Sequence, residues 1–296
     1  MADSSSSDAQ IPRIFLWCVP RSSSTAFTKM MSFVDGAEIW FEPYTMSFYQ
    51  KFYWSQIKEI TAMADIMEKA KAQVHDSSSG PDFGNQRPMS TFSYESTKDL
   101  LEGKPQNPDA NFIFVKDMAH AIHGMYGFLP QKVPCKYAFL IRHPYRFVPS
   151  YLNMVEPFIQ EQNHDDFDPL LRGGRDQILA LWKHVRENID PDPIVIDADE
   201  MLMKPGEILP KFFDRLGIPW KDSYLNWNED TANVKSWINA TEFSFFAKNI
   251  HVRAMASSHF VFDEKPLPDI NDDPDAIRLV NMFMPGYEEM YKHALK

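Results

Sequence analysis

Apolar residues fall along the chain in short continuous runs, and stretches with helical spacing separate them. The first run, Ile14 to Val19, is closed by Pro20 and predicts a buried strand. A hydroxyl-rich turn follows, Arg21-Ser22-Ser23-Ser24-Thr25, and helical spacing begins at Ala26. Glu38-Ile39-Trp40-Phe41 predicts a second strand, stopped at Glu42-Pro43. Residues 45–72 have helical spacing without an internal Gly or Pro, which predicts one long helix or two abutting ones. Residues 73–93 collect Ser, Gly, Pro and Asp and predict a long loop, of a length often used as a lid.

Two clearer strands come next, Asn111–Lys116 and Lys136–Arg142. Asp117 is placed to cap a helix directly after the first of them. His143-Pro144 opens a helix running to about Val155. Gly173–Asn188 is amphipathic, Pro193–Ile196 is a further short strand, and Pro205–Leu216 is a helix. Residues 218–275 are rich in Trp, Asn and Asp and carry weak signals. Ala276–Leu295 predicts a closing helix with a break near Pro285-Gly286.

Strands alternating with helices predict an α/β fold with a mostly parallel sheet. Right-handed crossovers then bring the strand-to-helix loops to one edge, where ligands bind. Segments 20–25, 42–45, 116–120 and 142–150 are expected to meet there. Residues 1–11 read as a disordered tail and 12–296 as a single domain, with 233–275 as a cap over the site.

Charge and composition narrow the partners. A net charge of −11 argues against non-specific binding to nucleic acid or to a membrane surface. The N-terminal MADSSSSDAQ lacks the basic and apolar regions of a signal peptide, and no apolar run reaches membrane-spanning length. The expected setting is therefore cytosolic. The two cysteines, Cys18 and Cys135, lie in or beside strand-like runs and read as buried free thiols. No Cys/His spacing suggests a metal.

The chemistry concentrates at the predicted loop edge. A strand, a tight turn and a helix start hold several backbone N–H groups together, which suits a phosphate. Arg21 adds fixed charge and the hydroxyls add donors. A triphosphate-binding loop would need Gly-x-x-x-x-Gly-Lys-Ser/Thr, and this turn has neither Gly nor Lys. Arg142 at a strand end and Ser150 in the next helix form a second pair able to grip a phosphate.

Taken in order, these segments resemble the sulfotransferases that use 3′-phosphoadenosine 5′-phosphosulfate. Their first signature, of the P-R-S-G-S-T kind, stands here as Pro20-Arg21-Ser22-Ser23-Ser24-Thr25. Their second, a strand ending in R-x-P with a Ser shortly after, stands as Arg142-His143-Pro144 with Ser150. Ile194–Leu202 followed by Pro205–Trp220 is similar to a third family segment. The resemblance spans residues 13–220. It implies a three-layer, P-loop-like α/β fold and sulfuryl transfer to a hydroxyl or amine of a small-molecule acceptor, with no metal. It also implies that Arg21, Ser22, Ser23, Ser24, Thr25 and Ala26 hold the 5′-phosphosulfate, and that Arg142 and Ser150 hold the 3′-phosphate.

The family's cytosolic members carry a His two residues after a strand-end Lys, and the position matching it after Lys116 is Met118. Other members place a Glu just after the second strand, which here is Glu42. Its aromatic neighbours exclude water from it, as a general base requires. The resemblance thus assigns Glu42 as base, with Arg21 and Lys116 beside the transferred group. His120 and His123 read as structural, and Trp237, Lys248 and Arg253 as residues of the cap that could meet the nucleotide. Ser23 replaces the family's usual glycine and would strain the turn if its φ is positive. The alternative is a non-catalytic nucleotide-binding or interaction protein that keeps the fold. The acceptor and the oligomeric state are not legible.

Overall fold

The computed structural model describes residues 10–52, 85–159, 176–227, 233–241 and 251–296. Its frame is a seven-stranded sheet in the order β3-β7-β2-β4-β1-β5-β6, every pairing parallel. The strands are β1 (Arg13–Cys18), β2 (Ala37–Phe41), β3 (Asn85–Arg87), β4 (Phe112–Met118), β5 (Cys135–Ile141), β6 (Ile194–Asp197) and β7 (Ile238–Ala240).

The central strand β1 is buried along its whole length, because β4 and β5 pair on its edges and helices cover both faces. That is why RIFLWC is a continuous run rather than an alternating one. Phe15 stacks between Trp17, at 5.7 Å, and Tyr137, at 5.4 Å. On the side of the sheet carrying α1 (Ser24–Met31), Phe27 lies on Phe114 and meets the edge of Phe212.

Chain order and sheet order together set where a ligand belongs. From β1 the chain crosses to β2, returns to β4 beside β1, then moves to β5 on β1's other edge. That reversal opens a crevice at the C-terminal end of β1. Residues 19–25 lie there.

Several expectations need correction. Asp117 does not cap the helix that follows it. Its carboxylate accepts hydrogen bonds from Tyr44 N (2.5 Å), Thr45 N (3.0 Å) and Thr45 Oγ1 (2.6 Å), at the start of α2 (Pro43–Phe52). Strand β4 runs on to Met118, two residues beyond the expected end, so Asp117 is still in the sheet and faces the neighbouring crossover. The closing helix, Pro274–Tyr291, continues through Pro285. The short strands β3, at the sheet edge, and β7, beside it, were not predicted; three residues each is too little for a periodic signal. Residues 238–240 of the expected cap are therefore a strand of the central sheet. Of the helix expected over 45–72, Pro43–Phe52 is observed. Of the loop expected over 73–93, Asn85–Arg87 is instead strand β3 and Met89–Thr91 a short 3-10 turn, because pairing with β7 draws this stretch into the sheet. The remainder of both expectations lies outside the described residues, as does Lys248. Both cysteines are free, Cys18 buried and Cys135 half-buried.

Candidate functional site

Three non-glycine residues of the described chain have positive φ: Arg21 (61°), Ser23 (64°) and Glu42 (60°). All three lie on the same sheet edge, Arg21 and Ser23 three and five residues past β1 and Glu42 directly after β2. Left-handed backbone costs a non-glycine residue about 1–2 kcal/mol, and such strain collects at functional sites. The strain foreseen at Ser23 is therefore present. At the start of α1 it turns the chain sharply, and the Ser23 side chain makes no capping bond to the helix. Ser22 turns inward to donate to Val19 O (2.8 Å), and Ser24, Thr25 and Thr28 are buried in the first turns. The leading N–H groups of α1 thus lack a side-chain cap.

Guanidinium groups converge on this turn. Arg21 Nε donates to Ser150 Oγ at 3.0 Å, and Arg142 Nη1 donates to the Arg21 carbonyl at 2.5 Å. Burial lowers the Arg21 pKa from its ordinary value, and the charges of Arg142 and Arg253 lower it further. Arg142 and Ser150 were expected as a separate phosphate grip. They meet instead through Arg21, so the two expected sites form one continuous cluster. Asp199, at the start of the helix Ala198–Met203, pairs with Arg142 (3.3 Å) and Arg146 (3.5 Å).

The second half of the site lies at the ends of β2 and β4. Glu42 N donates to Lys116 O at 2.7 Å, extending the β2–β4 ladder by one residue. The left-handed turn at Glu42 then starts α2, and its carboxylate accepts from Lys116 Nζ. Both side chains are buried. Burial pulls the Lys116 pKa down, but the charge and hydrogen bond of Glu42 together with Cys18 and Asp117 outweigh it, so the ammonium is held above its ordinary value. The Lys116 ammonium also lies over the Phe41 ring, 4.6 Å from its centroid.

His251 went unnoticed in the sequence and belongs to the site. Its Nδ1 is 3.1 Å from Thr25 Oγ1, and its ring meets Phe41 edge-on at 5.6 Å. Burial, then the charges of Lys116 and Arg21, push its pKa down to about 3, so it is neutral at physiological pH. The segment carrying it is clamped to α1, where Lys29 Nζ donates to the carbonyls of Met255 and Ser257. A lone His inside the weak-signal stretch 218–275 offered nothing to find it by. Trp237 is wholly buried and stacked on Phe41 at 5.1 Å, so it supports the site from beneath. His123 lies 3.2 Å from the Tyr126 hydroxyl. Among the described residues no cluster of metal-ligating side chains is present.

The arrangement can hold an anion at the start of α1, and it keeps a buried ammonium–carboxylate pair at the neighbouring strand ends. No family model matches the chain. A curated protein of Arabidopsis thaliana, branched-chain-amino-acid aminotransferase-like protein 1, is 27% identical over 143 residues, which is 46% of this chain and 24% of that protein. The chain thus spans about a quarter of that relative's length. Solved structures similar to it include the sulfotransferase domain of the curacin biosynthetic pathway, with TM-score 0.44, 14% identity and coverage of 93% of this chain and 98% of that one. The sulfotransferase domain of the Synechococcus PCC 7002 olefin synthase gives TM-score 0.43 and 15% identity, covering 94% and 96%. Mouse sulfotransferase SULT7A1, solved with PAP, gives TM-score 0.46 and 16% identity, covering 97% and 87%.

Proposed function

We propose that the chain is a sulfotransferase that moves a sulfuryl group from 3′-phosphoadenosine 5′-phosphosulfate to a hydroxyl or amine of a small-molecule acceptor. The observation that carries the reading is the convergence of Arg21, Arg142 and Arg253 on the uncapped start of α1. Like charges gathered around a part-buried Arg21 are costly without an anion, and a nucleotide carrying two phosphate positions supplies charge at both ends of the cluster. The donor fits the residues present. Backbone N–H groups at Ser24–Ala26, with the Ser22–Thr25 turn and Arg21, would hold its 5′-phosphosulfate. Arg142 and Ser150 would hold its 3′-phosphate.

When bound, the donor supplies an activated sulfuryl group and a phosphate leaving group. The chain's own residues do the rest. Glu42 takes the proton of the acceptor hydroxyl, and its burial keeps water from competing for it. Lys116 stays charged through its pairing with Glu42 and neutralises charge that develops across the transfer. Arg21 does the same on the leaving side. His251, neutral and beside Thr25, holds the turn closed from above without adding charge.

Differential scanning fluorimetry with 3′-phosphoadenosine 5′-phosphate and with adenosine 5′-phosphate tests the donor site, since a ligand of the folded state raises the midpoint. The 3′-phosphorylated nucleotide is expected to give the larger shift. Equal shifts, or none, would refute the reading. Transfer of radiolabelled sulfate from the donor to hydroxylated acceptors then separates a transferase from a protein that only binds the nucleotide.

A further inference from the structure

His120 is 7% exposed, and among the described residues neither ring nitrogen has a hydrogen-bond partner. A buried unpaired polar group costs on the order of 1–3 kcal/mol, and a leucine or phenylalanine there would avoid that cost. His120 sits in the short helix Ala119–Ile122, directly after β4 and four residues beyond Lys116. Its ring meets Phe48 of α2 edge-on at 5.3 Å. Helix α2 begins immediately after Glu42 and packs against this short helix, so His120 lies where the two meet, close enough to the Glu42–Lys116 pair to feel the Lys116 charge.

We infer that His120 positions the acceptor, donating a hydrogen bond from its imidazole N–H to the oxygen of the acceptor's reacting hydroxyl. This rests on the transferase reading of the site. The hydroxyl proton is then left free to pass to Glu42. A role as the base itself does not suit this imidazole. Burial, then the Lys116 charge, push its pKa down to about 3, so it has little affinity for a proton. The same resistance to charge, and the aromatic wall of Phe48 and Phe52 with centroids 5.1 Å apart, favour an uncharged, ring-bearing alcohol or phenol over an ionic acceptor.

The test uses the full chain saturated with 3′-phosphoadenosine 5′-phosphate, and two probes of one shape: 2-naphthol and naphthalene. The wild type is expected to bind 2-naphthol at least about tenfold more tightly, because a site built around a hydrogen bond rejects the analogue lacking it. H120F is expected to keep the nucleotide-induced midpoint shift and lose that preference, while H120N, which retains a donor, recovers part of it. In wild-type protein with ¹⁵N-labelled histidine, 2-naphthol but not naphthalene should move the His120 ring resonances. A wild type without the preference, unmoved ring resonances, or an H120F variant that keeps the preference would each overturn the inference. A chain that discriminates the two probes but shows no nucleotide shift would refute the donor reading and leave the His120 contact standing.

Discussion

The Lys116 ammonium donates to the Glu42 carboxylate across the ends of β4 and β2, with the two side chains 0% and 2% exposed. A pair so buried is held by its partners, and removing one charge strands the other. Glu42→Gln is therefore expected to abolish most turnover and to cost about 3–5 kcal/mol of stability by urea denaturation. The double variant E42L/K116M removes both charges and should recover most of that stability without recovering activity. Wild-type-like turnover in E42Q would remove Glu42 as the base.

Arg142 is shared between the Arg21 carbonyl and Asp199. Asp199→Asn releases Arg142 and Arg146 from a competing carboxylate. Affinity for 3′-phosphoadenosine 5′-phosphate should rise by up to about fivefold at low salt, the scale of a partly exposed ion pair, and the gain should shrink as salt is added. Arg142→Ala should weaken that nucleotide far more than adenosine 5′-phosphate. Calorimetric titration of the two nucleotides reads both effects, and equal losses in R142A would refute the 3′-phosphate assignment.

Ser23 has φ of 64° at the turn into α1. Ser23→Gly relieves a left-handed residue at the cost of a freer unfolded chain. It should leave stability unchanged or raise it by up to about 1 kcal/mol, with nucleotide binding retained. Ser23→Val, β-branched at the same φ, should be clearly destabilising. Thermal midpoints of the two variants decide it.

Asp117 carries a pH dependence. Burial raises its pKa to about 7, and the charge of Glu42 adds to the rise, although the bonds from Thr45, Tyr44 and Met118 pull the other way. Unfolded, the same carboxyl titrates near its ordinary value of about 3.9. The folded state therefore holds a proton that the unfolded state has lost between about pH 4 and pH 7. This group's contribution to stability is full below that window and declines as pH rises through it. Asp117→Asn should flatten the fall in denaturation midpoint between pH 5 and pH 8, even though the loss of a cap for α2 lowers stability at every pH. An unchanged slope would contradict the assignment.

Gly286, inside the closing helix, lies against Asp176. A Cβ there would fall 2.0 Å from Asp176 Oδ2, and Asp176 caps the helix Gln177–Asn188 through Leu179 N (3.1 Å). Gly286→Ala should cost roughly 1–3 kcal/mol. The cost should be markedly non-additive with Asp176→Ala in a double-mutant cycle, because both act on the same cap.

Much of the fold was legible because the buried strands of a parallel sheet are continuous apolar runs, and Ile14–Val19, Asn111–Lys116 and Lys136–Arg142 are such runs. The phosphate-type turn was legible for the same local reason, since strand, turn and helix start are contiguous in the chain. β3 and β7 escaped because three-residue strands owe their form to the partners they pair with. Asp117 was read as a local cap because capping is normally local, whereas here the acceptor reaches a helix 72 residues earlier.

By itself, then, the chain's sequence determined the alternation of buried strands and amphipathic helices, and the placing of Arg21, Glu42 and Arg142 past strand ends with Lys116 near the end of its own strand. Apolar periodicity and turn chemistry act over a few residues, so both are written locally. Tertiary structure alone decided that Glu42 pairs with Lys116, that Arg142 and Ser150 reach Arg21 rather than stand apart, and that His251 closes over Thr25. These contacts join residues separated by 74, 121, 129 and 226 positions. The strand order of the sheet, which sets β2, β4, β1 and β5 side by side, makes the first three neighbours, and the packing of the segment carrying His251 on α1 makes the fourth.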